Sequence, residues 1–161
     1  MGVSKLNRAK RVVSHRAIHI LDVGCGDSKT PGAVGMDRRA RLGVDIVHDC
    51  EVLPWPFKDE TFDRIILSHL VEHLKPWLMV DIMDELWRVM KPKGQLLIAT
   101  PYAGSFGFYQ DPTHIKAWNE ATPTYFDSAY PLYEVYKPRP WRLEQNIWRD
   151  MGNLEILMVK E

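Results

Sequence analysis

The chain reads as an α/β domain whose mostly parallel sheet of about seven strands ends in an antiparallel hairpin and is helix-poor on one side. Three observations predict it. Short apolar runs recur along the first hundred residues and end in Gly, Asp or His; one stretch, 75–89, has a helical apolar period; and two strand-like runs flank a Gly-bearing turn near the end. At 161 residues there is material for one core and too little for two. The expected organisation is a basic arm, 1–16, followed by a single domain, 17–161.

The first run, AIHILDV (17–23), leads into Gly24-Cys25-Gly26, a buried strand entering a tight turn. AVGM (33–36) ends at Asp37, VDIVH (44–48) at Asp49 and FDRIILS (62–68) at His69; SKTPG and VLPWPF between them are loop material. From 75 to 89, Leu78, Ile82, Leu86 and Val89 recur at three- and four-residue intervals, an amphipathic helix stopped by Lys91-Pro92-Lys93-Gly94. QLLIAT (95–100) is a fifth strand without a polar centre, suited to a sheet covered on both faces. A long connection, 101–131, holds one short predicted helix near 122–129. WRLEQNIWR and LEILMVK around Asp150-Met151-Gly152-Asn153 predict the closing hairpin.

Lys and Arg number 21, as do Asp and Glu, so overall charge points to neither nucleic acid nor an anionic membrane. The five basic residues Lys5, Arg8, Lys10, Arg11 and Arg16 all precede the first acidic one, Asp22. The only cysteines are Cys25 and Cys50, with no CxxC and no secretory signal, and the expected location is a reducing cytoplasm. No apolar run approaches the roughly 20 residues of a membrane span.

One motif raises a metal question. His69-x-x-Glu72-His73 has the spacing of an inverted zinc-protease motif, which requires both histidines on one helix, a turn apart. FDRIILS is a strand by its apolar run, which puts His69 at the strand end and only His73 on the helix that follows. The two cannot share an ion in that geometry, and no metal is expected.

The strand ends carry the other candidate site. In an open parallel sheet, ligands sit beyond the carboxyl ends of the strands. Gly24-x-Gly26 lets a ligand approach the backbone, and Asp37 can accept both hydroxyls of a ribose. That pair alone serves nicotinamide dinucleotides and S-adenosylmethionine equally. A pyrophosphate needs a third glycine and a helix N-terminus. After Gly26 the chain offers Asp27-Ser28-Lys29-Thr30-Pro31-Gly32, with no GxGxxG and no room for a helix. A cationic, phosphate-free nucleoside suits the acidic rim of Asp22, Asp37 and Asp49.

ILDVGCG, VGMD, VHDCEVLPWPFKDETFDRIILSHLVEHL and LWRVMKPKGQLLIATP, in that order over residues 18–104, resemble the successive motifs of class I S-adenosylmethionine-dependent methyltransferases, whose fold is Rossmann-like. QDPTHIKAWNEATPTYF (110–126) is similar to a segment of some short bacterial and phage-associated members. The resemblance implies S-adenosylmethionine as cofactor, with Gly24 and Gly26 under its methionine part, Asp37 on the ribose, and Asp49 with the Cys50 backbone toward the adenine amino group. Leu53 would pack on the adenine, Asp22 would bind directly or fix the turn, and Ser68 and His69 would line the floor where the methyl group moves. The chain departs from the family in the connections DSKTPG and RRARLG, which are too short for the usual crossover helices.

Methyl transfer from a sulfonium is an in-line displacement, and a general base is needed only for a protonated acceptor; His69 and His114 are the candidates. The acceptor is expected to be a small molecule. Exocyclic base methylation would favour Asn/Asp-Pro-Pro-aromatic after the fourth strand, where Ser68-His69-Leu70-Val71 stands, and neither cysteine sits beside a proline as a C5-cytosine nucleophile would. The competing class is a non-catalytic module that binds S-adenosylmethionine or serves as a subunit. Thin cover on one sheet face also predicts a homodimer.

Overall fold

The computed structural model describes residues 17–149 and 152–161; the basic arm and the turn residues Asp150 and Met151 fall outside the described residues. β1 (Ile20–Val23), β2 (Val34–Asp37), β3 (Ile46–Val47), β4 (Phe62–Ser68), β5 (Met90–Pro101), β6 (Trp141–Arg149) and β7 (Asn153–Lys160) form one sheet in the order β3-β2-β1-β4-β5-β7-β6. The first five are parallel, and β7 runs antiparallel between β5 and β6. This is the expected mixed sheet with its hairpin.

Cover is one-sided for a readable reason. The row Leu21, Ile65, Leu96 and Met158, matched across β1, β4, β5 and β7, is fully buried. Its neighbours on the opposite face, Ile66, Leu97 and Leu157, are only partly buried. The connections 24–33 and 38–45 contain no helix. Helix α1 (Met79–Val89) joins β4 to β5 and buries Ile82, Met83, Leu86 and Val89, the predicted apolar stripe.

Several boundaries moved. His73 does not lie on the long helix: Val71–His73 is a single 3-10 turn, Leu74 is extended, and helical structure restarts at Pro76 in a second 3-10 turn, Pro76–Leu78, before α1. Proline fixes φ for a first helical position and disfavours helix in the residue before it, which separates the two pieces. Lys91–Gly94 does stop α1, but β5 begins at Met90, and the extra residues form an irregularity opposite Phe62 and Arg64 with Lys93 at φ 65°. The helix expected near 122–129 is a 3-10 segment, Thr122–Phe126. A short helix α2 (Phe106–Tyr109), capped by the Ser105 side chain accepting from the Phe108 amide at 3.2 Å, was not foreseen.

Polar anchors hold the irregular segments. Glu85 on α1 accepts from the Trp55 amide at 2.6 Å and pairs with Arg88 through both oxygens at 2.6 and 2.8 Å, tying the connection 48–61 to the helix. Lys160 is buried with its ammonium 2.7 Å from the Met90 carbonyl and 3.7 Å from the Trp87 ring centroid.

Candidate active site

A cavity of about 460 Å³ opens beyond the carboxyl ends of β1, β2 and β4, within the size range of small-molecule pockets. Its wall begins at Gly24. The chain leaves β1 and folds back on β2, with the Gly24 amide 2.7 Å from the Met36 carbonyl. Gly24 sits at φ 70°, and a Cβ there would stand 2.8 Å from Leu70 Cδ1, so both backbone conformation and close approach require glycine. Gly26, at φ 51°, faces open space.

Asp37 ends β2 and is nearly buried. One carboxylate oxygen accepts from the Gly26 amide at 3.0 Å and the other from the Arg39 amide at 2.9 Å. Burial pushes this carboxyl up, but the two amides and the Arg39 guanidinium outweigh it, and the net shift is below the usual aspartate value. The group is therefore anionic near neutrality. Each oxygen keeps acceptor capacity beyond its one amide bond, which is what a vicinal diol needs. The donor set thus fits a ribose-bearing cofactor.

Asp49 and Cys50 line the same cavity. Asp49 closes a turn by accepting from the Glu51 amide at 3.0 Å. Burial, reinforced by the charges of Asp49 and Glu51, pushes the Cys50 thiol up to about 12, so it is no nucleophile. Its carbonyl already accepts from the Trp55 indole at 3.0 Å. His69, at the end of β4, lines the floor at φ 51° with its amide bonded to the Ala99 carbonyl at 2.8 Å.

Other expected residues stand elsewhere. Asp22 is buried and accepts from the Thr30 amide at 2.7 Å, fixing the loop after β1, and does not line the cavity. Gly26, Leu53 and Ser68 are likewise outside the lining; Leu53 and Ser68 are exposed. The apolar lining comes instead from Met36, Leu70 and Leu74. His114 turns away: its Nδ1 lies 2.8 Å from the Phe108 carbonyl and its ring packs edge-on against His73. Sequence reasoning missed Arg38 and Arg39, which line the cavity directly after Asp37, because it looked for strand-end carboxylates only.

Strand order, glycine turn and acidic end of β2 define a class I methyltransferase fold. Residues 36–98 match the family model of the methyltransferase domain. A curated relative from Mycolicibacterium smegmatis, described as a probable S-adenosylmethionine-dependent methyltransferase, is 28% identical over 144 residues, covering 73% of this chain and 55% of its own length. The chain thus spans about half of that relative. Among solved structures, a SAM-dependent methyltransferase from Archaeoglobus fulgidus superposes with TM-score 0.64 at 19% identity, over 89% of this chain and 86% of its own. Another from Aquifex aeolicus gives 0.61 at 16% identity, over 89% and 82%. In fold and motif order the chain is similar to class I S-adenosylmethionine-dependent methyltransferases. No helix among the described residues is long and apolar enough to cross a membrane.

Proposed function

We propose that this domain transfers a methyl group from S-adenosylmethionine to a small-molecule acceptor by in-line displacement. The observation that carries the reading is the ionised, nearly buried Asp37 beside the Gly24–Gly26 turn, at the mouth of a cavity on the carboxyl ends of the strands. Asp37 would hold the ribose, Asp49 would face the adenine edge, and Leu70 and Leu74 would supply apolar contact. Gly26 keeps backbone open beside them, and Asp22 acts through the loop it fixes. When bound, the cofactor supplies a methyl group already activated on a sulfonium. The protein's task is then to hold the acceptor in line and to exclude water.

Where the acceptor arrives protonated, His69 is the base this geometry favours, since its half-exposed ring lines the cavity floor. His114 lacks that access. The Ser68-His69-Leu70-Val71 run after β4, where an exocyclic base methyltransferase would favour Asn/Asp-Pro-Pro-aromatic, supports a small acceptor over a nucleic-acid base. The competing reading, a module that binds S-adenosylmethionine without turnover, is favoured by the helix-free connections 24–33 and 38–45, which leave one sheet face thinly covered.

Calorimetry with S-adenosylmethionine, followed by a methyl-transfer screen over small acids, phenols, sugars and RNA, tests the proposal. Saturable binding with turnover on a small acceptor is the expected result. Binding without turnover on any class selects the non-catalytic reading, and turnover on RNA alone overturns the small acceptor.

A further inference from the structure

Glu72 is the most deeply buried acidic side chain of the described residues, with no solvent exposure. Its Oε2 accepts from the Thr100 hydroxyl at 3.0 Å, while Oε1 is buried and makes no hydrogen bond. A buried carboxylate oxygen without a partner is costly, and that cost is relieved by a cation. The nearest basic group, His69 Nδ1, lies 3.4 Å away on a half-exposed ring that is charged only when protonated.

Two further histidines converge on the same place. His73 comes from the 3-10 turn after β4 and His114 from the 102–140 connection, their ring centroids 4.7 Å apart. One ligand atom each from Glu72, His73 and His114 lie within 4.8 Å of one another. Both rings are anchored through Nδ1: that of His114 lies 2.8 Å from the Phe108 carbonyl, and that of His73 lies 3.1 Å from the Thr113 hydroxyl and 3.4 Å from its carbonyl. A ring that donates from Nδ1 to a carbonyl presents an unprotonated Nε2, which is the tautomer a metal takes. The Asp111 carboxylate, 3.8 Å from His114 Nε2, adds a second negative charge at the edge of the cluster.

We infer that Glu72, His73 and His114 form a site for one divalent transition-metal ion, zinc by ligand type. Two imidazoles and a carboxylate are a borderline-soft set that zinc binds with an open fourth position. Drawing donors up to 4.8 Å apart onto one ion at about 2.1 Å needs side-chain shifts of roughly 1 Å. The ion neutralises Glu72 and pins the connection to the strand end. The connection already lies there, with the amides of Ile115 and Lys116 on the Glu72 carbonyl at 2.8 and 3.0 Å. The sequence excluded a shared ion for His69 and His73; this cluster omits His69 and recruits His114 from the connection after β5. It does not depend on the methyl-transfer reading.

The full chain, stripped with EDTA, is titrated with zinc chloride by calorimetry and with cobalt chloride by visible absorption. One equivalent should bind, with the cobalt spectrum of a low-coordinate site. His73→Ala and His114→Ala should each weaken binding at least tenfold with an unchanged far-UV spectrum, and His19→Ala should have no effect. Glu72→Gln disturbs a buried group, so histidine ring NMR of the unmutated chain gives a second reading: zinc should shift His73 and His114 most, move His69 less through its contact with Glu72, and leave His19 in place. Absence of saturable binding at micromolar zinc, wild-type affinity in both alanine variants, or shifts confined to His69 overturns the site.

Discussion

Asp37→Ala tests the cofactor reading at its centre. The substitution removes an anionic acceptor with little solvent access and frees the Gly26 and Arg39 amides that it held at 3.0 and 2.9 Å. A charge-assisted hydrogen bond to a ligand is worth ~1–3 kcal/mol, and loss of the ribose contact should raise the S-adenosylmethionine Kd about 5- to 150-fold. Calorimetry on a variant with wild-type far-UV spectrum measures it, and Asp37→Asn, which keeps an acceptor but not the charge, should fall between. An unchanged Kd in a folded Asp37→Ala variant refutes the ribose assignment. The same carboxylate also links stability to pH. Its pKa is lowered on folding, so its contribution is complete above the unfolded value, 3.8, and disappears as pH falls through the lower folded value. The melting difference between wild type and Asp37→Ala should therefore shrink on acidification below about pH 4. A difference that stays constant through that window contradicts the linkage.

Gly24→Ala should destabilise more than Gly26→Ala: both pay about 1–2 kcal/mol for a left-handed backbone, but only Gly24 also drives a methyl into Leu70. Equal losses by chemical denaturation would show that Leu70 yields freely. Iodoacetamide should alkylate Cys50 in the native chain at least about a hundredfold more slowly than a free thiol near neutral pH, with the rate climbing as pH approaches 12. Fast labelling would mean that Cys50 is neither buried nor surrounded by negative charge. Because Ile66, Leu97 and Leu157 share an incompletely covered face, a homodimer is expected; a concentration-independent mass of 18.7 kDa in light scattering rules it out.

The parallel strands were readable because apolar runs ending in Gly, Asp or His carry their own punctuation, and the short connections DSKTPG and RRARLG gave away the missing helices. Asp37, Asp49 and His69 followed from strand ends alone. Leu53 and Ser68 fell outside the cavity because chain order fixes which segment follows a strand and not which way each side chain turns. The same limit hid Leu70, whose contact with Gly24 spans two strands. Pro76 was visible, yet its effect on His73 depends on an extended Leu74 that no apolar period reveals. The pairing of His73 with His114 was invisible for a simpler reason: the segment after β5 that carries His114 has no periodicity from which a fold-back could be inferred.

The two borders of the sheet differ from its middle. β3 offers only Ile46 and Val47, too short a template for another chain to pair with. β6, at the other border, sets Arg142, Glu144 and Arg149 on its exposed positions, so an incoming strand would have to desolvate charges along its length. Both borders therefore resist extension of the sheet into fibrils or runaway edge-to-edge polymers. The face that carries Ile66, Leu97 and Leu157 has its backbone groups paired within the sheet and offers no such template.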